Sequence, residues 1–258
     1  MMLKVIVIVA LLGASLGLPT NSTAPNTAPA PRIVGGHETD IEHNPWMLAL
    51  LYYRQHFCGA VEIHVQWALT AAHCLHGVEV INLSVRAGSS TKSFGGQLVD
   101  VRRIYTHPEY NIRMLDYDFA LLELDQPITV QTASPATLPE RNSQIYEGQI
   151  VVTTGWGLVS GEGALPEILH AVEVPLVSFA RCQTAYGNQI ITDRMFCAGD
   201  MAQGGIAACW GDGGGPVIAE GRLVGLVSWL TLCAEPGMPT VNARVSSVLD
   251  WIDFIMSL

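Results

Sequence analysis

Beyond residue 32 the chain reads as short apolar runs cut by Gly, Pro, Asn and Asp. Runs at 47–53, 67–70, 83–87, 98–105, 119–124, 149–154, 169–176, 217–219, 223–229 and 241–244 predict strands. Many short strands with turn signals between them indicate a sandwich or a barrel. The last segment keeps a different period. Val248, Trp251, Ile252 and Ile255 fall at i, i+3, i+4 and i+7, which predicts an amphipathic C-terminal helix with Ser246 as its cap. A weaker helical pattern covers 179–186. No internal repeat marks a solenoid.

The first 32 residues have another texture. Lys4, the apolar run 5–12, and the small residues Ser15 and Gly17 before Leu18 read as a secretory signal over residues 1–17. A membrane span needs ~20 apolar residues, and this run breaks at Gly13, Ser15, Gly17 and Pro19. An exported chain without a membrane anchor is expected. Residues 18–32 are rich in Pro, Thr, Asn and Ala, bury little apolar surface, and read as an extended or disordered pro-segment. Asn21-Ser22-Thr23 and Asn82-Leu83-Ser84 are glycosylation sequons, so Asn21 and Asn82 are candidate sites.

Composition narrows the function. With 13 Lys+Arg against 23 Asp+Glu and a net charge of −10, no basic face is available, so nucleic acid is not an expected partner. Cys58, Cys74, Cys182, Cys197, Cys209 and Cys233 read as three disulfides in an oxidising compartment. Spacing alone leaves all 15 pairings of six cysteines open. No cysteine pair has zinc-knuckle spacing. His73 and His76 lack a third ligand. The run Gly213-Gly214-Gly215 lacks the Lys-Ser/Thr of a phosphate loop. No metal or cofactor is expected.

Four segments carry the chemistry: Arg32-Ile33-Val34-Gly35-Gly36, Thr70-Ala71-Ala72-His73-Cys74, Asp118-Phe119-Ala120-Leu121-Leu122, and Cys209-Trp210-Gly211-Asp212-Gly213-Gly214-Gly215-Pro216. With Gly155-Trp156-Gly157 and Val227-Ser228-Trp229, in this order, the chain resembles the trypsin-like (chymotrypsin-fold) serine endopeptidases from Arg32 to its end. The resemblance implies an all-β domain over 33–258, built of two packed six-stranded antiparallel β-barrels with a C-terminal α-helix. It also implies the pairs Cys58–Cys74, Cys182–Cys197 and Cys209–Cys233.

By the same resemblance His73 is the general base and Asp118 holds its tautomer. The nucleophilic serine belongs at position 213, where this chain has glycine. Gly213 has no oxygen with which to attack a carbonyl. Loss of that serine costs about 10⁶ in kcat, or about 8 kcal/mol of barrier. The backbone N–H groups of Gly211 and Gly213 still offer an oxyanion hole, which needs only main chain. In the specificity pocket Ala207 stands where trypsins carry Asp, so basic-residue specificity is lost. Leu230, two after Ser228 and next to Trp229, replaces a glycine and narrows the mouth. Gly237 is placed in the same pocket, and Pro239 replaces a tyrosine near its base. A cut after Arg32 would free the Ile33 amine to pair with Asp212.

The expectation is a secreted, monomeric protease homologue that acts by binding proteins or peptides, as protease cofactor, inhibitor decoy or recognition protein. Its other expected partner is the protease that cuts after Arg32. The rival is an active or weakly active serine-type endopeptidase with a small apolar, elastase-like pocket. It would use a water activated by His73 and Asp118, or Gly213 would be a variant or a sequence error. A lectin-like role has no motif behind it.

Overall fold

The computed structural model describes residues 35–258 apart from 142, 160–162 and 188. The expected signal and pro-segment, with Asn21, Arg32 and Ile33, lie outside the described residues. Strand β1 (His37–Glu38) is followed by β2 (Met47–Tyr52), β3 (Gln55–His64), β4 (Trp67–Thr70), β5 (Leu83–Ala87), β6 (Gln97–Thr106) and β7 (Ala120–Leu124). Then come β8 (Ile150–Gly155), β9 (His170–Val177), helix α1 (Phe179–Tyr186), β10 (Met195–Ala198), β11 (Pro216–Ala219), β12 (Arg222–Trp229), β13 (Thr240–Arg244) and helix α2 (Leu249–Met256).

The strands close two six-stranded antiparallel barrels. One runs β2-β3-β4-β7-β6-β5. The other runs β8-β9-β10-β13-β12-β11 and is closed by the β8–β11 pairing, with β1 added beside β9. The unbroken apolar character of several strands follows from this packing. Along β2, Leu48 and Leu50 fill the first barrel, while Met47, Ala49 and Leu51 pack on Ile41, Trp156 and Leu169. Leu69 of β4, Phe119 and Leu121 meet Ile218, Leu223 and Leu226 of the second barrel and Ile252 of α2. Side chains alternate across a strand, so a strand lodged between two cores is apolar at both parities.

Three elements depart from the expectation. Strand β3 carries no apolar run at its ends, because Gln55, His56, Glu62 and His64 interrupt it. The hairpin before it turns at Tyr53 and Arg54, both at positive φ (49° and 63°), without the Asn-Gly that usually signals such a turn. Strand β10 is short and hidden by Cys197. Ser246 does not cap α2. It lies in a 3-10 turn over Val245–Ser247, and the helix is capped two residues later, with the buried Val248 at its N-cap. Helix α1 occupies the expected 179–186. Among the described residues no helix is long and apolar enough to cross a membrane.

Candidate functional site

The site lies where loops of the two barrels meet. His73 sits in a 3-10 turn over Ala72–Leu75, just after β4, and Asp118 lies two residues before β7. Asp118 is fully buried. Its Oδ1 accepts the backbone N–H of His73 at 2.8 Å, and its Oδ2 lies 2.8 Å from His73 Nδ1. The Ser228 hydroxyl donates to the same Oδ2 at 2.5 Å. The carboxylate is therefore fixed by three groups, and the imidazole is held with Nε2 facing away from it. Ser228 was expected only as a pocket residue. Its bond to Asp118 carries no sequence signal, because the partners are 110 positions apart.

Gly213 stands at the far end of the imidazole. An ideal Cβ built on it would lie 2.8 Å from His73 Nε2 and 3.6 Å from Cys58 Sγ. The surrounding loop is held by its own main chain. Gly214 N–H donates to Val227 O at 2.8 Å, Gly215 N–H to Asp212 O at 2.9 Å, and Gly59 N–H of β3 to Gly213 O at 2.8 Å. Gly59 must be glycine, since a Cβ there would come within 2.8 Å of Gly215 Cα. The N–H groups of Gly211 and Gly213 are both left free of protein acceptors among the described residues.

A cavity of about 500 Å³ opens over these groups, bounded by Phe57, His73, Gly213, Trp229 and Leu230. Trp210 stands half exposed at its mouth. Ala207 and Gly237 are not part of its wall. Ala207 is buried, and Gly237 belongs to a turn whose N–H returns to Met201 O at 3.1 Å. Pro239 instead accepts the Tyr186 hydroxyl through its carbonyl. Leu115, missed in the sequence, also lines the cavity, with a left-handed φ of 52°. Its position three residues before Asp118 was the available signal.

The disulfides join Cys58 to Cys74, Cys182 to Cys197 and Cys209 to Cys233. Cys58–Cys74 anchors the His73 turn, with Cys74 Sγ 3.6 Å from His73 Nε2. Cys58, His73 and Cys74 are the one group of three potential metal ligands among the described residues. Metals ligate thiolates, and these two sulfurs are bonded to each other. In the loop over 88–96 the Arg86 guanidinium takes the carbonyls of Lys92, Ser93 and Gly95. Asn82 lies half buried at the start of β5, its amide donating to Glu79 at 3.1 Å.

Asp212 is fully buried and accepts the N–H groups of Gly157 (2.8 Å) and Cys209 (2.9 Å). Burial outweighs both bonds and pushes its pKa up to about 6. Gly35 packs against Gly205 and Ile206, where an added Cβ would clash at 2.1–2.2 Å. The described start of the chain therefore lies beside the segment that leads to Asp212. His56 was not singled out in the sequence. Its two buried ring nitrogens have no hydrogen-bond partner among the described residues, and its ring stands edge-on to Trp156. Burial drives its pKa down to about 4, helped by Lys92 and opposed by Glu167.

Comparison with known proteins agrees with this architecture. The trypsin family pattern matches residues 33–252. A trypsin of Phaedon cochleariae is 39% identical over 255 residues, covering 98% of both chains. Trypsin 5G1 of Aedes aegypti is 41% identical over 232 residues, covering 88% of this chain and 86% of the relative. A vitellin-degrading protease of Bombyx mori is 37% identical over 224 residues, 86% of this chain and 84% of its own. With two closed barrels, three disulfides and this match across the domain, the chain belongs to the trypsin family of serine proteases.

Proposed function

We propose that this chain is an exported trypsin-family protein that no longer hydrolyses peptides and uses its cleft to bind polypeptide segments. One observation carries the reading. The space 2.8 Å from His73 Nε2 is where a side chain at 213 would begin, and glycine leaves it without an oxygen. The base is positioned and the oxyanion donors are open, but there is no nucleophile for the base to activate. Residual catalysis from binding and oxyanion stabilisation alone is roughly 10³–10⁴ over water, far below a digestive rate. A carbonyl or carboxylate of a bound segment can still occupy the Gly211–Gly213 donors. The processing switch belongs to the same proposal. A cut after Arg32 would supply the Ile33 ammonium to Asp212, whose buried carboxylate lacks a cationic partner among the described residues. Partners of this kind are a protease, an inhibitor or a substrate-like segment.

A second reading rests on the intact array of His73, Asp118 and Ser228. A water held beside Nε2 could attack a bound carbonyl directly, giving slow hydrolysis. Hydrolysis of casein and of small apolar ester substrates by chain cut after Arg32 separates the two. Turnover no greater than that of His73→Ala supports binding alone. Turnover that disappears with His73→Ala supports the water route.

A further inference from the structure

On the second barrel lies a pocket of about 270 Å³ that the cleft does not use. It is walled by Ile145, Tyr146, Leu176, Phe179 and Phe196, with Arg244 of β13 as its cation. Phe196 is buried beneath the Arg244 guanidinium, whose Cζ lies 5.8 Å from the ring centroid. Tyr146 and Phe179 are 68% and 46% exposed, an unusual exposure for two aromatics at one pocket. Helix α1 opens at the same place, and its N-cap Ser178 makes no side-chain capping bond.

Arg244 is the unexplained member. Among the described residues its Nε is buried with no hydrogen-bond partner. Two acids of this region are already paired. Asp193 pairs with Arg194, and Glu147 at the pocket rim lies 3.3 Å from Arg181. Burial lowers the pKa of Arg244, which Asp193 only partly offsets. Buried polar groups are hydrogen-bonded in nearly all native proteins, and each exception calls for an explanation. A guanidinium binds carboxylates through paired N–H donors, and pockets with apolar walls and one placed polar group are the usual form of small-molecule sites.

The geometry points to a binding site for a small organic carboxylate with an aromatic or aliphatic body. The carboxylate would take the Nη groups of Arg244, and the body would lie between Tyr146, Phe179 and Phe196. At roughly 30 Å³ per water-sized group, the pocket takes about nine non-hydrogen atoms. Phenylacetate, with about ten such atoms, is close to that size.

Phenylacetate titrated into the full chain, followed by NMR of aromatic and arginine side-chain signals, tests the site. Its neutral isostere phenylacetamide and the bodiless anion acetate serve as comparisons. Binding near 1 mM is expected for a ligand of this size, to about one order of magnitude. It should be at least about tenfold tighter than for either comparison, one order being the usual worth of a charge-assisted bond. Signals of Phe179, Phe196 and Arg244 should move. Arg244→Gln should reduce phenylacetate to the level of phenylacetamide. Phe179→Asp, on the exposed rim and placing an anion at the mouth, should weaken binding at least about tenfold, and it carries the test if Arg244→Gln fails to fold. No binding, equal binding of phenylacetamide, insensitivity to Phe179→Asp, or shifts confined to the His73 cleft would each overturn the assignment.

Discussion

Arg194 grips Asp116 with two prongs, Nε to Oδ1 at 3.1 Å and Nη2 to Oδ2 at 2.7 Å. The pair ties the segment before β10 in the second barrel to the loop that presents Asp118 in the first. Thr192 Oγ1 donates to the same carboxylate at 2.8 Å, and the guanidinium lies 4.9 Å from the Tyr117 ring centroid. The catalytic-type carboxylate is thus positioned by a cross-barrel brace two residues away.

Arg194→Gln should destabilise the fold by about 1–3 kcal/mol, less than for a fully buried pair because Arg194 keeps 26% exposure. Burial works to raise the Asp116 pKa, but Arg194 and Thr192 outweigh it and hold the pKa below 3.8. A carboxylate depressed in the folded state contributes stability that is present above its unfolded pKa and is lost as pH falls through the folded one. Urea unfolding across pH 2–6 should therefore show a steeper acid loss in the parent than in Arg194→Gln. Parallel curves would exclude the brace.

Asp212 gives the opposite sign. Its folded pKa of about 6 lies above 3.8, so the uncut fold holds that proton more tightly than the unfolded chain. Stability from this group is present below about pH 4 and is lost as pH rises to about 6. The loss is on the order of 3 kcal/mol. A new Ile33 amine would remove it. Chain cut after Arg32 should gain stability over uncut chain at pH 7 and little at pH 4, as read by thermal melting at both pH values. An equal difference at the two pH values would argue against the Ile33–Asp212 pair.

Glu62 is buried in β3, its Oε2 has no partner among the described residues, and burial pushes its pKa up to about 7. The sign matches that of Asp212, with stability lost as pH rises from about 4.5 to 7. Glu62→Gln should be close to neutral at pH 4 and stabilising by about 1–3 kcal/mol at pH 8. Denaturation midpoints at the two pH values check it. A destabilised variant at pH 8 would mean the carboxylate has a partner.

Gly59→Ala should cost about 1–3 kcal/mol by overpacking, because its Cβ meets backbone of Gly215 rather than a movable side chain. The expected result is a lower melting temperature with altered signals from Gly213 and Gly214. An unchanged protein would show that β3 and this loop are not in contact.

Much of the fold was legible because barrels packed on each other leave short apolar runs, as in β2, β4 and β7. Strand β3 was not, since its turn uses Tyr53 and Arg54 and its ends are polar. In the site, His73, Asp118 and the 209–216 loop were legible through contiguous motifs. Ser228 on Asp118, Gly59 against Gly215 and Arg194 on Asp116 were not, because each contact joins distant segments and only folding brings them together.

The proposed loss of hydrolysis rests on the missing side chain at residue 213. Peptide hydrolysis should be measured side by side for the chain and for Gly213→Ser, both cut after Arg32 and both confirmed to begin at Ile33. The expected result is no turnover by the chain above its His73→Ala control, and a gain of at least about 10⁴ in the serine variant. Turnover by the unaltered chain that matches Gly213→Ser and vanishes with His73→Ala would contradict it.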